Sequence, residues 1–176
     1  MESRIPERHP LRQLFGALAE RAFTEELGWP DFKVSDYVSK LLVDFTHTDH
    51  LYRIKNAQGE RAEAVVELLY ESEVLQEAAS VEREREVHQH IGDFTLFMAG
   101  LFPEYLKRIK TGKRSYRIAA EFDMWPSATA DRPSSPLFHK LSENFELCVV
   151  GLGFIRGDLD RMQDERYHQA RRILLN

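Results

Sequence analysis

The stretch of sequence that decides the fold reads Ile91-Gly92-Asp93-Phe94-Thr95-Leu96-Phe97-Met98-Ala99-Gly100-Leu101-Phe102. When these residues are placed on a helix, nearly every side of that helix is apolar. A helix that is apolar all round is buried among other helices, whereas a surface helix keeps a polar face. The stretch therefore predicts the central helix of an all-α bundle, running over about residues 80–102.

The rest of the chain repeats apolar residues at steps of three and four, the spacing of amphipathic helices. Together with the central helix, these segments predict one helical domain over residues 1–176, a bundle of six or seven helices. A small β-hairpin is the one exception we consider, near residues 51–64, because Asn56-Ala57-Gln58-Gly59 is a turn signal. Further helices are expected over residues 62–75, 115–125, 137–162 and 164–175.

Local signals predict where three of the helices begin, bend or end. Gly28 is expected to end the first helix, because glycine is the usual residue after a helix C-terminus. Ser35 is expected to cap the second helix through its hydroxyl group. Pro103 removes a backbone hydrogen bond and is expected to kink or interrupt the central helix near Ala99.

Composition narrows the class of protein. The chain is 43% apolar and 30% charged, with a formal net charge of -5 and both signs interspersed, which argues against a nucleic-acid partner. The single cysteine, Cys148, excludes an intrachain disulfide and a cysteine-based zinc cluster. The longest apolar runs fall short of the ~20 residues of a membrane helix, and the N-terminal residues show no signal-peptide pattern. We therefore expect a soluble, cytoplasmic protein without a membrane partner.

Two pairs of residues have spacings that metal or hydrogen-bonding sites use. Glu84 and His88 are four residues apart, so the carboxylate can orient the imidazole or share a metal with it; an ordinary i,i+4 pair is the main interpretation. Glu165 and His168 form one Glu-x-x-His pair, whereas a ferritin-like di-iron site needs two such pairs and two more glutamates. These four residues are metal candidates, and no metal site is assigned.

Asp93 is the residue that fits its surroundings least, since it lies within the apolar central helix. A buried carboxylate needs hydrogen-bond donors, or its pKa rises. Arg or Tyr from a neighbouring helix is expected to supply the donors. A structural ion pair is the main interpretation, and a ligand or metal contact is the alternative.

The helix over residues 137–162 contains a second set of exceptions. Asn144 falls on its apolar stripe, and each glycine inside a helix costs up to ~1 kcal/mol relative to alanine. A tight crossing of two glycine-bearing helices is the main interpretation, and a flat cofactor between them is the alternative. The glycines concerned are Gly151, Gly153 and Gly157 in this helix, and Gly92 and Gly100 in the central one.

Known catalytic motifs do not occur in the sequence: there is no phosphate-binding loop, no dinucleotide fingerprint and no nucleophile elbow. We therefore favour a non-catalytic binding or structural protein that acts through helix-mediated association, with a second copy of the chain as a candidate partner. The alternative is a metal, haem or small-ligand site, with oxidoreductase activity among its functions, between helices 80–102 and 137–162. Glu84, His88, Asp93 and Asn144 are its candidate ligand-binding residues, and no cofactor is identified.

Overall fold

The computed structural model describes residues 10–46, 81–122, 135–162 and Arg172, and these ranges are almost entirely helical. They contain six α-helices and no strand, so the predicted all-α class is confirmed for the described part of the chain. None of these helices has both the length and the apolar character needed to cross a membrane. The hairpin predicted near 51–64 and the helices predicted over 62–75 and 164–175 lie outside the described residues. The six helices are α1 (Pro10–Arg21), α2 (Phe32–Thr46), α3 (Val81–Leu101), α4 (Ile109–Phe122), α5 (Ser135–Glu143) and α6 (Phe145–Arg161).

The first helical segment ends at Gly28, as predicted. After α1 the chain continues through a π-helical turn, Ala22–Glu26, before it leaves the helix. Gly28 has a φ of 63°, a left-handed conformation that a side chain would strain. This turn reverses the chain and allows α2 to pack against α1.

The start of α2 differs from the prediction. Asp31 caps the helix, because its Oδ1 accepts the backbone N–H groups of Lys33 (3.1 Å) and Val34 (3.3 Å). Ser35 lies inside the helix, where its hydroxyl donates to the carbonyl of Phe32 at 3.2 Å. The prediction of Ser35 as the cap is therefore wrong: a carboxylate four residues earlier already accepts the free N–H groups.

Pro103 separates two helices instead of bending one. The residue before it, Phe102, is extended, with φ -128° and ψ 95°, and α3 has already ended. Proline clashes with a helical conformation of the preceding residue but fits the first position of a new helix. A 3₁₀ segment, Pro103–Arg108, starts there and leads directly into α4, so α4 begins earlier than residue 115. The predicted interruption by Pro103 is confirmed, but it falls at Phe102, since α3 remains α-helical through Ala99 and ends at Leu101.

The helix predicted over residues 137–162 is two helices, α5 and α6, divided at Asn144. This residue has φ -113° and ψ 29°, outside the α-helical region. Its side-chain Nδ2 donates to the carbonyl of Lys140 at 3.0 Å, and its backbone N donates to the same oxygen at 2.9 Å. An asparagine side chain can compete with backbone N–H groups for helix carbonyl oxygens in this way. The helix is therefore interrupted at Asn144, although the apolar residues keep their helical spacing on both sides of it.

The six helices share one apolar core, to which α3 contributes a large part. A Cβ atom built on Gly100 would lie 2.4 Å from Cβ of Leu152 in α6, so these two helices touch where a larger residue would not fit. This contact favours the tight-crossing interpretation, because Leu152 fills the space that a flat cofactor would need at this point. The buried apolar side chains of the stretch 91–102 are Ile91, Phe94, Leu96, Phe97, Met98, Ala99, Leu101 and Phe102.

Candidate functional site at Asp93 and the outer face of α6

The carboxyl group of Asp93 joins three helices through a single oxygen atom. Its Oδ1 accepts a hydrogen bond from the phenol of Tyr37 in α2 and another from the phenol of Tyr116 in α4, both at 2.6 Å. Gln89, one turn earlier in α3, donates from Nε2 to the Tyr37 oxygen at 3.2 Å. We call these four residues the Asp93 cluster. Its donors are neutral phenols, so the ion pair expected for Asp93 is replaced by hydrogen bonds.

Glycine and aromatic residues hold the phenols in place. The Tyr116 ring lies against Gly92, where a Cβ atom would stand 2.5 Å from Cδ1 of that ring. Phe138 in α5 contacts both tyrosines, with ring centroids 5.8 Å from Tyr37 and 5.9 Å from Tyr116. Phe145 adds a third ring, 5.8 Å from Tyr116. The orientation of both phenols toward Asp93 is thus fixed by packing on several sides.

Burial shifts the pKa of every acidic group in this cluster. It raises the pKa of Asp93 to about 7, with the nearby Asp44 charge acting in the same direction and the hydrogen bonds from Tyr116 and Tyr37 opposing it. Burial, followed by the charge of Asp93, raises the pKa of both phenols well above the ordinary value. The carboxyl group therefore changes its protonation state near neutral pH while both phenols stay protonated and able to donate.

Two other predicted site residues, His88 and Asn144, lie apart from the Asp93 cluster. His88 is buried, and burial, then the charge of Arg114, lowers its pKa, which favours the neutral imidazole. Because it is five residues before Asp93 in the same helix, the two side chains point about 140° apart. Asn144 bonds to Lys140 at the helix break. Glu84 lies in α3, and its pairing with His88 stays a prediction.

The sequence predicts Arg or Tyr from a neighbouring helix as the donors to Asp93 but does not identify Tyr37 and Tyr116. The available signal was the phenol itself, since a buried tyrosine hydroxyl usually has a hydrogen-bond partner. As for metals, the described residues contain no group of three or more His, Cys, Asp or Glu side chains placed to hold an ion. Glu165 and His168 lie outside the described residues.

A second unusual surface lies on the outer side of α6. Val150 is 50% exposed and Phe154, one turn later, is 38% exposed. Gly153 and Gly157 lie on the same side, and a Cβ atom built on either would have no neighbour within 4 Å among the described residues. Charged residues stand at the two ends of this surface. We call it the α6 outer face: Glu146, Val150, Gly153, Phe154, Gly157 and Arg161.

Comparison of the chain with protein-family models, with curated proteins and with solved structures gives no match in any of the three. The class that the fold and the two sites define is an all-α protein with a carboxyl group shared by two phenols and an apolar helix face turned outward.

Proposed function

We propose that this chain is a non-catalytic binding protein that acts through helix-mediated association, and that its contact surface is the α6 outer face. The observation that carries this proposal is the pair of exposed apolar side chains, Val150 and Phe154, beside two glycines with open space around them. A surface of this shape gains free energy when a second helix covers the apolar groups and approaches the glycine backbone closely.

Gly153 and Gly157 support this proposal because no contact among the described residues offsets their cost to helix stability. Each lowers helix stability by up to ~1 kcal/mol relative to alanine. Gly151, in contrast, has a local reason, since a Cβ atom there would stand 2.9 Å from the Phe23 ring. Among the described residues, Gly153 and Gly157 have no such neighbour. Gly16 in α1 has none either, so the argument for a partner rests on the position of Gly153 and Gly157 beside the exposed Val150 and Phe154.

A ligand site at Asp93 is the second candidate function. The observation that favours it is that Asp93 is mostly but not completely buried and accepts both phenols at Oδ1, so Oδ2 is the oxygen that would contact a small hydrogen-bond donor or cation. Under this proposal the cluster binds a ligand without a catalytic step.

Three further statements stay predictions from the sequence: the arrangement of the bundle around α3, the cytoplasmic location and a homo-oligomeric state.

Site-specific photo-crosslinking in cells tests the proposed contact surface. A benzophenone analogue of phenylalanine is placed at position 154, and in a matched variant at position 32, where Phe32 is 75% exposed at the start of α2. We expect a discrete adduct from position 154, with the second polypeptide identified by mass spectrometry, and no such adduct from position 32. Equal labelling at both positions, or none at 154, would overturn the proposal.

A further inference from the structure

We infer that the partner of the α6 outer face is a second copy of this chain, packed antiparallel about a two-fold axis between Gly153 and Phe154. This inference rests on the proposed function and adds the identity of the partner and the register. It follows from how side-chain size and charge are ordered along α6.

Side-chain size is complementary in this register. A two-fold axis midway between Gly153 and Phe154 pairs each residue of one copy with a residue of the second copy. The two paired residues are equally distant from the axis along the sequence, on opposite sides of it. Phe154 then faces Gly153 of the second copy, and Val150 faces Gly157 of the second copy. Each apolar side chain thus meets a glycine, where open space is available for it. Close approach of two helices depends on such small residues opposite large ones.

Charge is complementary in the same register. Glu146 faces Arg161 of the second copy at both ends of the helix pair, about 22 Å apart along the axis. Both groups are accessible: the Glu146 side chain is 57% exposed and that of Arg161 is 71% exposed. Within the chain, Glu146 accepts from Lys113 at 3.0 and 3.2 Å, and Arg161 donates to Asp158. An exposed carboxylate and an exposed guanidinium keep further hydrogen-bonding capacity beside these contacts.

The parallel arrangement lacks both kinds of complementarity. It places Phe154 against Phe154 and glycine against glycine. The large side chains would then collide, and the glycines would leave gaps between the helices. It also brings Glu146 next to Glu146 and Arg161 next to Arg161, and like charges opposite one another repel. The order of residues in α6 therefore selects the antiparallel pair.

The size of the surface sets the expected affinity. A helix of this length spans about 25 Å, and a pair of such helices covers less than the ~800 Å² per partner of a standard interface. We therefore expect a weak, reversible dimer with a dissociation constant on the order of 10–100 μM. Sedimentation of the full chain across that concentration range should show the shift from monomer to dimer.

Disulfide trapping at two positions separates the two registers. We use Val150→Cys and Gly157→Cys as single variants of the full chain, under mild oxidation. The native Cys148 does not interfere, because it is fully buried and burial raises its pKa to about 12. In the antiparallel pair, positions 150 and 157 of different copies are adjacent, whereas two copies of position 150 lie about 10 Å apart along the axis. That separation exceeds the ~4 Å between Cβ atoms that a disulfide allows.

The expected result is a disulfide-linked dimer in the mixture of the two variants, at least tenfold more abundant than in either variant alone. Dimers in each single variant, and none that link position 150 to 157, would show a parallel pair and overturn the inference. If the mixture gives no dimer while photo-crosslinking at position 154 identifies a different protein, the inference fails and the proposed function stands. If neither experiment gives a product, both fail.

Discussion

The Asp93 cluster and the α6 outer face are opposite exceptions to the rule that apolar side chains are buried and polar side chains are exposed. The cluster buries polar groups, and the outer face exposes apolar ones. In the cluster, a carboxyl group and two phenols lie among apolar side chains, and hydrogen bonds at 2.6 Å satisfy them inside the chain. On the outer face, Val150 and Phe154 are 50% and 38% exposed, beside two glycines at which an added Cβ atom would meet none of the described residues within 4 Å. A polar group whose hydrogen-bond partners lie inside the chain is explained by the fold, whereas the exposed apolar groups are the basis on which we propose a partner for α6.

The largest effect that we expect comes from the pH dependence of Asp93. Burial raises its pKa to about 7, well above the usual value of an aspartate, so the folded state binds this proton more tightly than the unfolded state. The stabilisation is fully present below pH ~4 and is lost as the pH rises to ~7. Relative to Asp93→Asn, which does not titrate, the wild type should lose up to about 4 kcal/mol of unfolding free energy between pH 4 and pH 8.

Chemical denaturation of both proteins at several pH values measures this difference directly. The comparison with Asp93→Asn removes the contribution of the other titrating groups, which both proteins share. Because the donors are neutral phenols, the amide oxygen of Asn can still accept both hydrogen bonds. A difference in unfolding free energy that stays constant from pH 4 to pH 8 would show that Asp93 has an ordinary pKa.

Gly92→Ala should have the next largest effect. The added Cβ atom would lie 2.5 Å from Cδ1 and 2.6 Å from Cε1 of the buried Tyr116 ring. Either this ring or helix α3 must move, and overpacking of this kind costs about 1–3 kcal/mol despite the better helix propensity of alanine. Thermal unfolding of Gly92→Ala, monitored by circular dichroism, tests this loss of stability. An unfolding temperature equal to or above that of the wild type would contradict the packing at Gly92.

The helices follow from the sequence, but neither the partners of Asp93 nor the position of Gly153 and Gly157 does. The sequence predicts these two glycines at a tight crossing with the central helix, whereas an added Cβ atom on either would meet none of the described residues within 4 Å. Helical periodicity predicts the helices, and the polar residue in the apolar stretch 91–102 predicts a need for donors. Tyr37 is 56 residues from Asp93 along the chain, however, so its role depends on how α2 crosses α3. The break at Asn144 is also missed, because the apolar stripe continues through it and only the asparagine side chain interrupts the helix.

The two phenols should show coupled effects of intermediate size. Removal of one hydroxyl, by Tyr37→Phe or Tyr116→Phe, should cost about 1–2 kcal/mol, because the other phenol still donates to Oδ1. The double variant should cost more than the sum of the two, since it leaves a buried acceptor without either phenol. Equilibrium unfolding of the four proteins at pH 6 measures the coupling. Simple additivity would mean that the two hydrogen bonds act independently.

The smallest effect has the opposite sign, and it concerns Gly157. Gly157→Ala adds a methyl group where nothing lies within 4 Å, so the monomer should gain up to ~1 kcal/mol from helix propensity. Gly16→Ala in α1 is the matched control, because Gly16 also has no neighbour within 4 Å. Both variants should therefore unfold at a slightly higher temperature than the wild type.

The two variants should differ only in association. In the antiparallel pair the new methyl group at position 157 meets Val150 of the second copy, and the helices must move apart. We expect the dissociation constant to rise about fivefold, which corresponds to ~1 kcal/mol, while Gly16→Ala leaves it unchanged. Sedimentation velocity over a concentration series measures the dissociation constants of both variants. If Gly157→Ala associates as tightly as Gly16→Ala does, then the open space at Gly157 is not filled by a second copy, and the contrast between the Asp93 cluster and the α6 outer face loses its functional meaning.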